Sequence, residues 1–372
     1  MSAGVPTRFA PQQEAALKAI ADWRKGGETP VFRLFGYAGT GKTTLARRIA
    51  EDVDGTVLFG AFTGKAASVM RAKGCFDAGT IHSLIYRTKE ADEGGPTFTL
   101  NRSGPAAKAD LIVIDECSMV DSDLGHDLLS FGKPVLVLGD PAQLPPVRGG
   151  GFFTEAEPDV MLTDVHRQAE DDPIVRMAMT VREGGRLAPG RYGASEVVSR
   201  REIHPEQVLD CDQVLVGLNK TRRLYNNRLR ELAGHTDPMP AVGEKLVCLR
   251  NDRTKGLLNG STWTVKALRA PPRPDMVRLD VVPDDDPALR RRATDIKVLR
   301  QIIAGSEEEI PLYLRRETDE FTYGYALTVH KAQGSQWDKV VLFDESYAFR
   351  EHRARWLYTG LTRAAEAVTV VV

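Results

Sequence analysis

The amino-acid sequence predicts an α/β architecture with two parallel-sheet domains, the first carrying an inserted hairpin and the second interrupted by a small antiparallel β module. Three observations lead there. Short apolar runs at Val31–Phe35, Thr56–Phe59, Leu111–Ile114 and Val135–Leu138 each pass into a Gly or Asp turn and then a helix-like stretch, the pattern of strands buried on both faces. Alternating apolar and polar runs broken by prolines fill residues 241–316. After them the first pattern resumes at Val340–Phe343 and closes with Val368–Val372.

Taken in order, the first 165 residues hold one sheet domain, within which a polar stretch from Tyr86 to Lys108 breaks the pattern. There Tyr86-Arg87 and Thr97-Phe98-Thr99-Leu100 flank Glu-Gly-Gly-Pro, two β-prone segments around a tight turn, which predicts a hairpin. From His166 to Gly234 the reading is helical apart from one strand at Val214–Leu218. Asn219–Leu232 reads as an amphipathic helix with leucines at 224, 229 and 232 and a basic outer side of Arg222, Arg223, Arg228 and Arg230. Four runs then make the β module: Lys245–Leu249, Thr262–Leu268, Val277–Val282 and Lys297–Ile303.

Composition narrows the classes. With 372 residues, 42% of them hydrophobic, the chain can bury two or three cores, and no apolar run approaches the roughly 18 residues a membrane span needs. No basic-then-apolar leader opens the sequence, so a cytoplasmic protein without a membrane partner is expected. Fifty Lys and Arg against 51 Asp and Glu give no global pull toward a polyanion, so any nucleic-acid site must come from local clustering. Cys75, Cys117, Cys211 and Cys248 stand far apart without ligand spacing and read as buried thiols rather than a zinc site or a disulfide framework.

Gly36-Tyr-Ala-Gly39-Thr40-Gly41-Lys42-Thr43 fits G-x-x-x-x-G-K-[ST], follows a strand and opens a helix at Thr43–Glu51. Its backbone N–H groups suit phosphate oxygens, Lys42 brings a point charge to them, and the Thr43 hydroxyl suits Mg²⁺. Such a cradle needs a carboxylate for the metal and a base for water. Asp115 and Glu116, at the C-terminal end of an apolar strand, are placed for both. Gln143, in Gly139-Asp140-Pro-Ala-Gln143, reads as a group that reaches the γ-phosphate or its water, with a surface turn at Asp140-Pro141 as the competing reading.

In chain order these motifs stand with Gln13 in Phe-Ala-Pro-Gln-Gln, Ala61-Phe-Thr63-Gly-Lys65-Ala-Ala, Gly79-Thr80-Ile-His82-Ser, Val165-His166-Arg167-Gln168, Tyr325-Ala-Leu-Thr328-Val-His330-Lys331-Ala-Gln333-Gly334-Ser335 and Tyr358-Thr-Gly-Leu-Thr362-Arg363-Ala. The whole resembles superfamily 1 helicases of the RecD-like and Dda-like branch, which moves 5′→3′, and lacks the long N-terminal extension of many RecD-like proteins, so the compact phage Dda type is the nearer likeness. The resemblance implies two RecA-like domains: 1–165 with a pin hairpin at 87–108, and 166–240 with 317–372, interrupted at 241–316 by an SH3-like module.

It also implies residue roles. ATP would be bound by Gln13 at the adenine and by Gly39, Thr40, Gly41, Lys42, Thr43 and Thr44, with Gln333 and Gly334 linking it to the second domain; Thr43 and Asp115 would hold Mg²⁺. Arg167 and Arg363 look like arginine fingers, although by their surroundings alone they read as surface ion-pair partners. Thr63, Lys65, Thr80, His82, Thr328, His330 and Lys331 fall in motifs that line a single-strand channel, where short hydroxyls and cations suit phosphates. Read alone, His82 and His330 fit buried, hydrogen-bonded histidines equally well. Phe98 is the ring nominated to meet a separated base, or else to pack in the hairpin root. The partners implied are single-stranded DNA and its junctions with duplex, with a single-strand-binding protein or a replisome component as protein partner. The chain is expected to act as a monomer in a bacterial cytoplasm, or in a host's if phage-borne. Two other readings stay open: an RNA track, because phosphate contacts are common to both polymers, and a P-loop ATPase that does not translocate.

Overall fold

The computed structural model describes residues 9–27, 29–89, 97–145, 151–164, 171–252, 255–284, 293–306 and 310–372. The chain forms two compact units, the first of Met1–Phe62, Ala66–Thr88 and Phe98–Val175, the second chiefly of Arg176–Val372, with Thr63–Lys65 grouped with it.

In the first unit, β1 (Val31–Gly36), β2 (Val57–Ala61), β3 (Gly79–Thr80), β6 (Leu111–Asp115), β7 (Val135–Gly139) and β8 (Val160–Leu162) build one parallel sheet in the order β3-β2-β6-β7-β1-β8. Alternation within strands made largely of apolar residues serves both faces. Leu34, Val113, Leu136 and Leu138 pack with Ala16, Ile20, Leu45 and Met70 of the helices Pro11–Gly26, Lys42–Glu51 and Gly64–Ala72. Val31, Phe35, Ile112, Ile114 and Val137 pack with Ile81, Ile85, Leu124 and Leu128 on the other face. Burying each such side chain stabilises the fold by about 1.5–3 kcal/mol. A separate two-stranded sheet pairs β4 (Tyr86–Lys89) with β5 (Thr97–Leu100), the two flanks read as a hairpin from the sequence; the residues that join them lie outside the described ones.

The second unit holds another six-stranded sheet, ordered β17-β11-β18-β19-β10-β9. Its strands are β9 (Gly190–Tyr192), β10 (Ser195–Val198), β11 (Gln213–Val216), β17 (Ala326–Thr328), β18 (Trp337–Phe343) and β19 (Ala364–Val371). All pairs are parallel except β9 with β10. Between β11 and β17 the chain makes a five-stranded antiparallel sheet ordered β15-β14-β13-β12-β16, from β12 (Lys245–Cys248), β13 (Thr262–Arg269), β14 (Met276–Pro283), β15 (Thr294–Leu299) and β16 (Phe321–Tyr323). Trp263, Val265, Leu279, Val281, Ile296, Val298 and Phe321 form its core.

Four local expectations need correction. The segment read as helical apart from Val214–Leu218 also contains the β9–β10 hairpin, turned at Gly193 with φ 64°. Strand β11 stops at Val216, because the N–H groups of Gly217 and Leu218 donate to the Glu345 carboxylate (2.7 and 3.1 Å) and not to a neighbouring strand. The run Lys297–Ile303 is strand only to Leu299; a helical turn, Arg300–Ile303, then buries both Ile302 and Ile303, which a strand would send to opposite faces. The helix Asn219–Leu232 does form, with Leu229 buried and Arg228 exposed as expected, but Arg222, Asn226 and Arg230 are also buried, while Leu224 is 64% exposed.

Candidate functional site

Strands β1, β6 and β7 lie side by side, and the groups singled out from sequence follow their C-terminal ends, where ligand sites of parallel sheets lie. After β1 the loop turns through Gly39 (φ 80°) and Gly41 (φ 81°), left-handed conformations that favour glycine. The loop is also tightly seated: a Cβ at Gly36 would come within 2.6 Å of the Thr40 hydroxyl and 2.8 Å of Leu162. Thr40 is buried and its hydroxyl donates to the Tyr37 carbonyl (2.8 Å). Lys42 opens the helix Lys42–Glu51 and its Nζ donates to the carbonyls of Gly36 (2.6 Å) and Tyr37 (3.0 Å), so the ammonium sits over the loop. Thr44, one residue along that helix, is exposed.

The Thr43 hydroxyl donates to Asp115 Oδ2 at 3.0 Å, which joins the helix start to the end of β6. Asp115 Oδ1 accepts from the Glu116 N–H (2.8 Å), and Glu116 itself adopts φ 53°, ψ 45° before the short helix Cys117–Met119. A non-glycine residue held in the left-handed region directly after the metal-ligand candidate is the kind of local strain that collects at functional sites. After β7, Gln143 is buried and its Oε1 has no hydrogen-bond partner among the described residues; the same holds for the Ser118 hydroxyl beside Glu116. Buried polar atoms left unpaired cost about 1–3 kcal/mol each, which makes an acceptor in this position a group kept for a ligand or water.

Among the described residues no cluster of three or more His, Cys, Asp or Glu side chains could hold a metal. A hydroxyl and one carboxylate 3.0 Å apart instead suit an ion that keeps most of its water, as Mg²⁺ does. Cys117, beneath Gly139, and Cys75 have thiols raised by burial and then by the charge of Asp115, Cys75 to about 11, so both stay protonated and inert at neutral pH.

Gln13 is buried in the first turn of Pro11–Gly26. Its Nε2 donates to the Thr40 carbonyl (3.0 Å) and its Oε1 accepts from Ala10 N–H (3.0 Å), so it braces the phosphate loop from the side. Its neighbour Gln12, to which sequence reasoning gave no role, accepts from Thr163 and Asp164 N–H (both 2.9 Å) and ties the same helix to the segment after β8. The doubled Gln in Pro-Gln-Gln was the available signal.

Of the strand-contact candidates in the first unit, Thr80 caps the helix Ile81–Ile85, accepting from Ser83 N–H (3.2 Å). His82 is solvent-facing on one side and packs on Tyr86, with centroids 5.6 Å apart. Desolvation by its apolar neighbours lowers its pKa, so the ring is neutral at pH 7. Thr63 and Lys65, which group with the second unit, flank the start of Gly64–Ala72, Thr63 half-buried and Lys65 buried. Phe98 lies in β5, with its side chain outside the described residues, as is all of Arg167.

In the second unit, Thr328 ends β17, is buried, and accepts from Lys331 N–H (3.3 Å). The His330 ring packs on Phe349 (5.3 Å), which stacks on the buried Trp356 (5.4 Å, 13°); burial, then the charge of His352, lowers the His330 pKa. Lys331 is half-buried, and Gln333 is buried beside Gly334, whose φ is 75°. Arg363 is buried, donating from Nε to Thr359 O (3.1 Å) and from Nη1 to Ser335 O (3.2 Å), which anchors the Gln333–Ser335 turn to the helix Arg353–Leu361.

Residues 8–202 match the AAA domain family and residues 323–371 the UvrD-like helicase C-terminal domain. The chain is 30% identical over 366 residues to the ATP-dependent RecD2 DNA helicase of Deinococcus radiodurans, covering 90% of this chain and 46% of that protein. It thus spans under half the length of that relative. Over 164 residues, 40% of this chain and 37% of the relative, it is 32% identical to the ATP-dependent DNA helicase dda of Enterobacteria phage T4. The fold is similar to that of Pif1 helicases solved as a coordinating pair at forked dsDNA, with TM-score 0.64 and 20% identity over 98% of this chain and 92% of that one.

Proposed function

The chain belongs to the AAA domain family, in the RecD-like and Dda-like branch of superfamily 1B, and from that premise we propose that it is an ATP-dependent 5′→3′ DNA helicase acting on single-stranded DNA and its junctions with duplex. The observation that carries the reading is the second sheet. It bears the helicase C-terminal match and with it the motif residues Thr328, His330, Lys331, Gln333 and Arg363, groups for which a P-loop ATPase that does not translocate has no use.

In this reading the loop at Gly39–Thr43 takes the phosphates of ATP, Lys42 leaves its two carbonyls for the β- and γ-phosphates, and Gln13 faces the adenine. Mg²⁺, held by Thr43 and Asp115, supplies charge neutralisation at the phosphates. Glu116 takes the proton of the attacking water, and the unpaired Gln143 oxygen accepts a hydrogen bond from that water. Arg167 and Arg363 serve as fingers on the γ-phosphate. Thr63, Lys65, Thr80, His82, Thr328, His330 and Lys331 hold strand phosphates, which positions a strand without reading its sequence. The β4–β5 hairpin is read as the strand-splitting pin with Phe98 as its stacking ring, and the five-stranded antiparallel sheet as an SH3-like module.

ATP turnover with and without oligo-dT tests the reading. Stimulation by the single strand is expected, because the phosphate contacts and the finger arginines belong to one cycle. Equal turnover in both conditions would favour the non-translocating ATPase.

A further inference from the structure

The inner face of the helix Asn219–Leu232 sets charged and amide side chains into the body of the second unit, and Asn226 and Arg230 meet different parts of it. Resting on the helicase reading above, we propose that this helix is a transmission strut joining the strand-contacting loop Thr328–Lys331 to the antiparallel β module, with the buried Arg230–Glu244 pair as its joint.

Three attachments support this. At the N-terminal end the helix has no side-chain cap of its own. Instead Glu345, which follows β18, accepts from the N–H of Gly217 (2.7 Å) and Leu218 (3.1 Å) and from the Thr221 hydroxyl (2.7 Å). A carboxylate there also complements the helix dipole. Gly217 permits the closeness: a Cβ would come within 2.8 Å of Glu345 and 2.9 Å of Phe349, the ring on which His330 packs. Midway, the Asn226 amide binds the backbone of one residue of β17 on both sides, accepting from Ala326 N–H (2.9 Å) and donating to Ala326 O (3.1 Å), two residues before Thr328.

At the C-terminal end Arg230 forms a two-pronged pair with Glu244 (Nε to Oε1 2.6 Å, Nη2 to Oε2 2.9 Å) just before β12, where the chain enters the module. Its guanidinium lies 4.0 Å over the Tyr323 ring of β16, where the chain leaves the module, and Tyr325 donates to Glu244 (3.2 Å). Arg223 adds a bond to the Gly305 carbonyl (3.1 Å), beyond β15. Both crossings between sheet and module are therefore fastened to one helix about 21 Å long, whose other end is fastened beside His330. A displacement of the Thr328–Lys331 loop reaches the module through a rigid rod, without nucleotide contact.

The test uses the chain carrying Arg230→Met with Glu244→Met. This removes the joint without leaving an unpaired buried charge, and apolar replacement of a whole buried pair is commonly tolerated. ATPase with oligo-dT and unwinding of a 5′-tailed duplex are measured on the same preparation. The expected result is stimulated turnover and half-saturating oligo-dT within about twofold of the parent, with unwinding per ATP reduced about tenfold, inside the roughly 2- to 30-fold span of energetic couplings within proteins. Arg223→Ala should shift the same ratio by less. Unchanged unwinding per ATP in the folded double variant overturns the inference, as does a proportional fall of both activities. Should the double variant not fold, Arg223→Ala decides by the same ratio, a loss supporting the strut and parity overturning it. A parent that does not unwind refutes the helicase reading beneath it, and the inference with it.

Discussion

The end of β6 and the Arg230 end of the helix Asn219–Leu232 both place charged groups where water is scarce, but they treat them in opposite ways. Around Arg230 the polar atoms are paired: each Glu244 oxygen accepts two hydrogen bonds, and Arg230 also donates to the carbonyls of Asp237 and Met239 (2.7 and 3.1 Å). Around Asp115, Glu116 is held in a left-handed conformation and Gln143 and Ser118 keep unpaired buried oxygens. Pairing yields rigidity, while strain and unpaired acceptors leave free energy available for a ligand. The first pattern suits a joint and the second a site of chemistry.

Substitutions can break this contrast. The largest effect is expected for Glu116→Gln, which keeps the backbone and removes the proton acceptor. Hydrolysis should fall by about 10²- to 10⁴-fold while MgATP remains bound, measured by turnover and by fluorescent-nucleotide titration. Next comes Arg230→Met alone. It strands the Glu244 carboxylate in the interior and should cost about 3–5 kcal/mol in denaturant unfolding, much more than the double replacement. Gln143→Leu is the smallest and the sharpest. Replacing a buried amide whose oxygen is unpaired should leave stability unchanged or raise it by about 1 kcal/mol while lowering DNA-stimulated turnover. Lost stability there would place Gln143 in the structural class with Arg230.

The same contrast explains what could be read from the residues. Phosphate chemistry demands glycines of positive φ and a Lys-Thr pair at fixed spacing, so Gly39, Gly41, Lys42 and Thr43 were legible, and the Thr43–Asp115 contact follows from two motifs that share a ligand. The buried strands of both sheets were legible because continuous aliphatic runs leave few alternatives. Helical periodicity also located Asn219–Leu232 to the residue, but it reports only which side chains share a face. That Arg222 and Arg230 point inward depends on Glu244, Tyr323 and Tyr325, which no local pattern links to them. The β9–β10 hairpin escaped notice because its strands are three and four residues long and carry Arg191 and Glu196. Gln13 was assigned to the adenine, and its bond to Thr40 shows a second use as a brace that its sequence position does not reveal.

The claim that ATP hydrolysis at Glu116 drives a 5′→3′ motor on DNA is tested most directly by strand separation on 5′-tailed and 3′-tailed duplexes, in DNA and in RNA, with the parent chain and Glu116→Gln side by side. The account predicts ATP-dependent unwinding of the 5′-tailed DNA by the parent, little on the 3′-tailed DNA, and none with Glu116→Gln on either. Unwinding from the 3′ tail, preference for the RNA duplex, or undiminished unwinding by Glu116→Gln would contradict it.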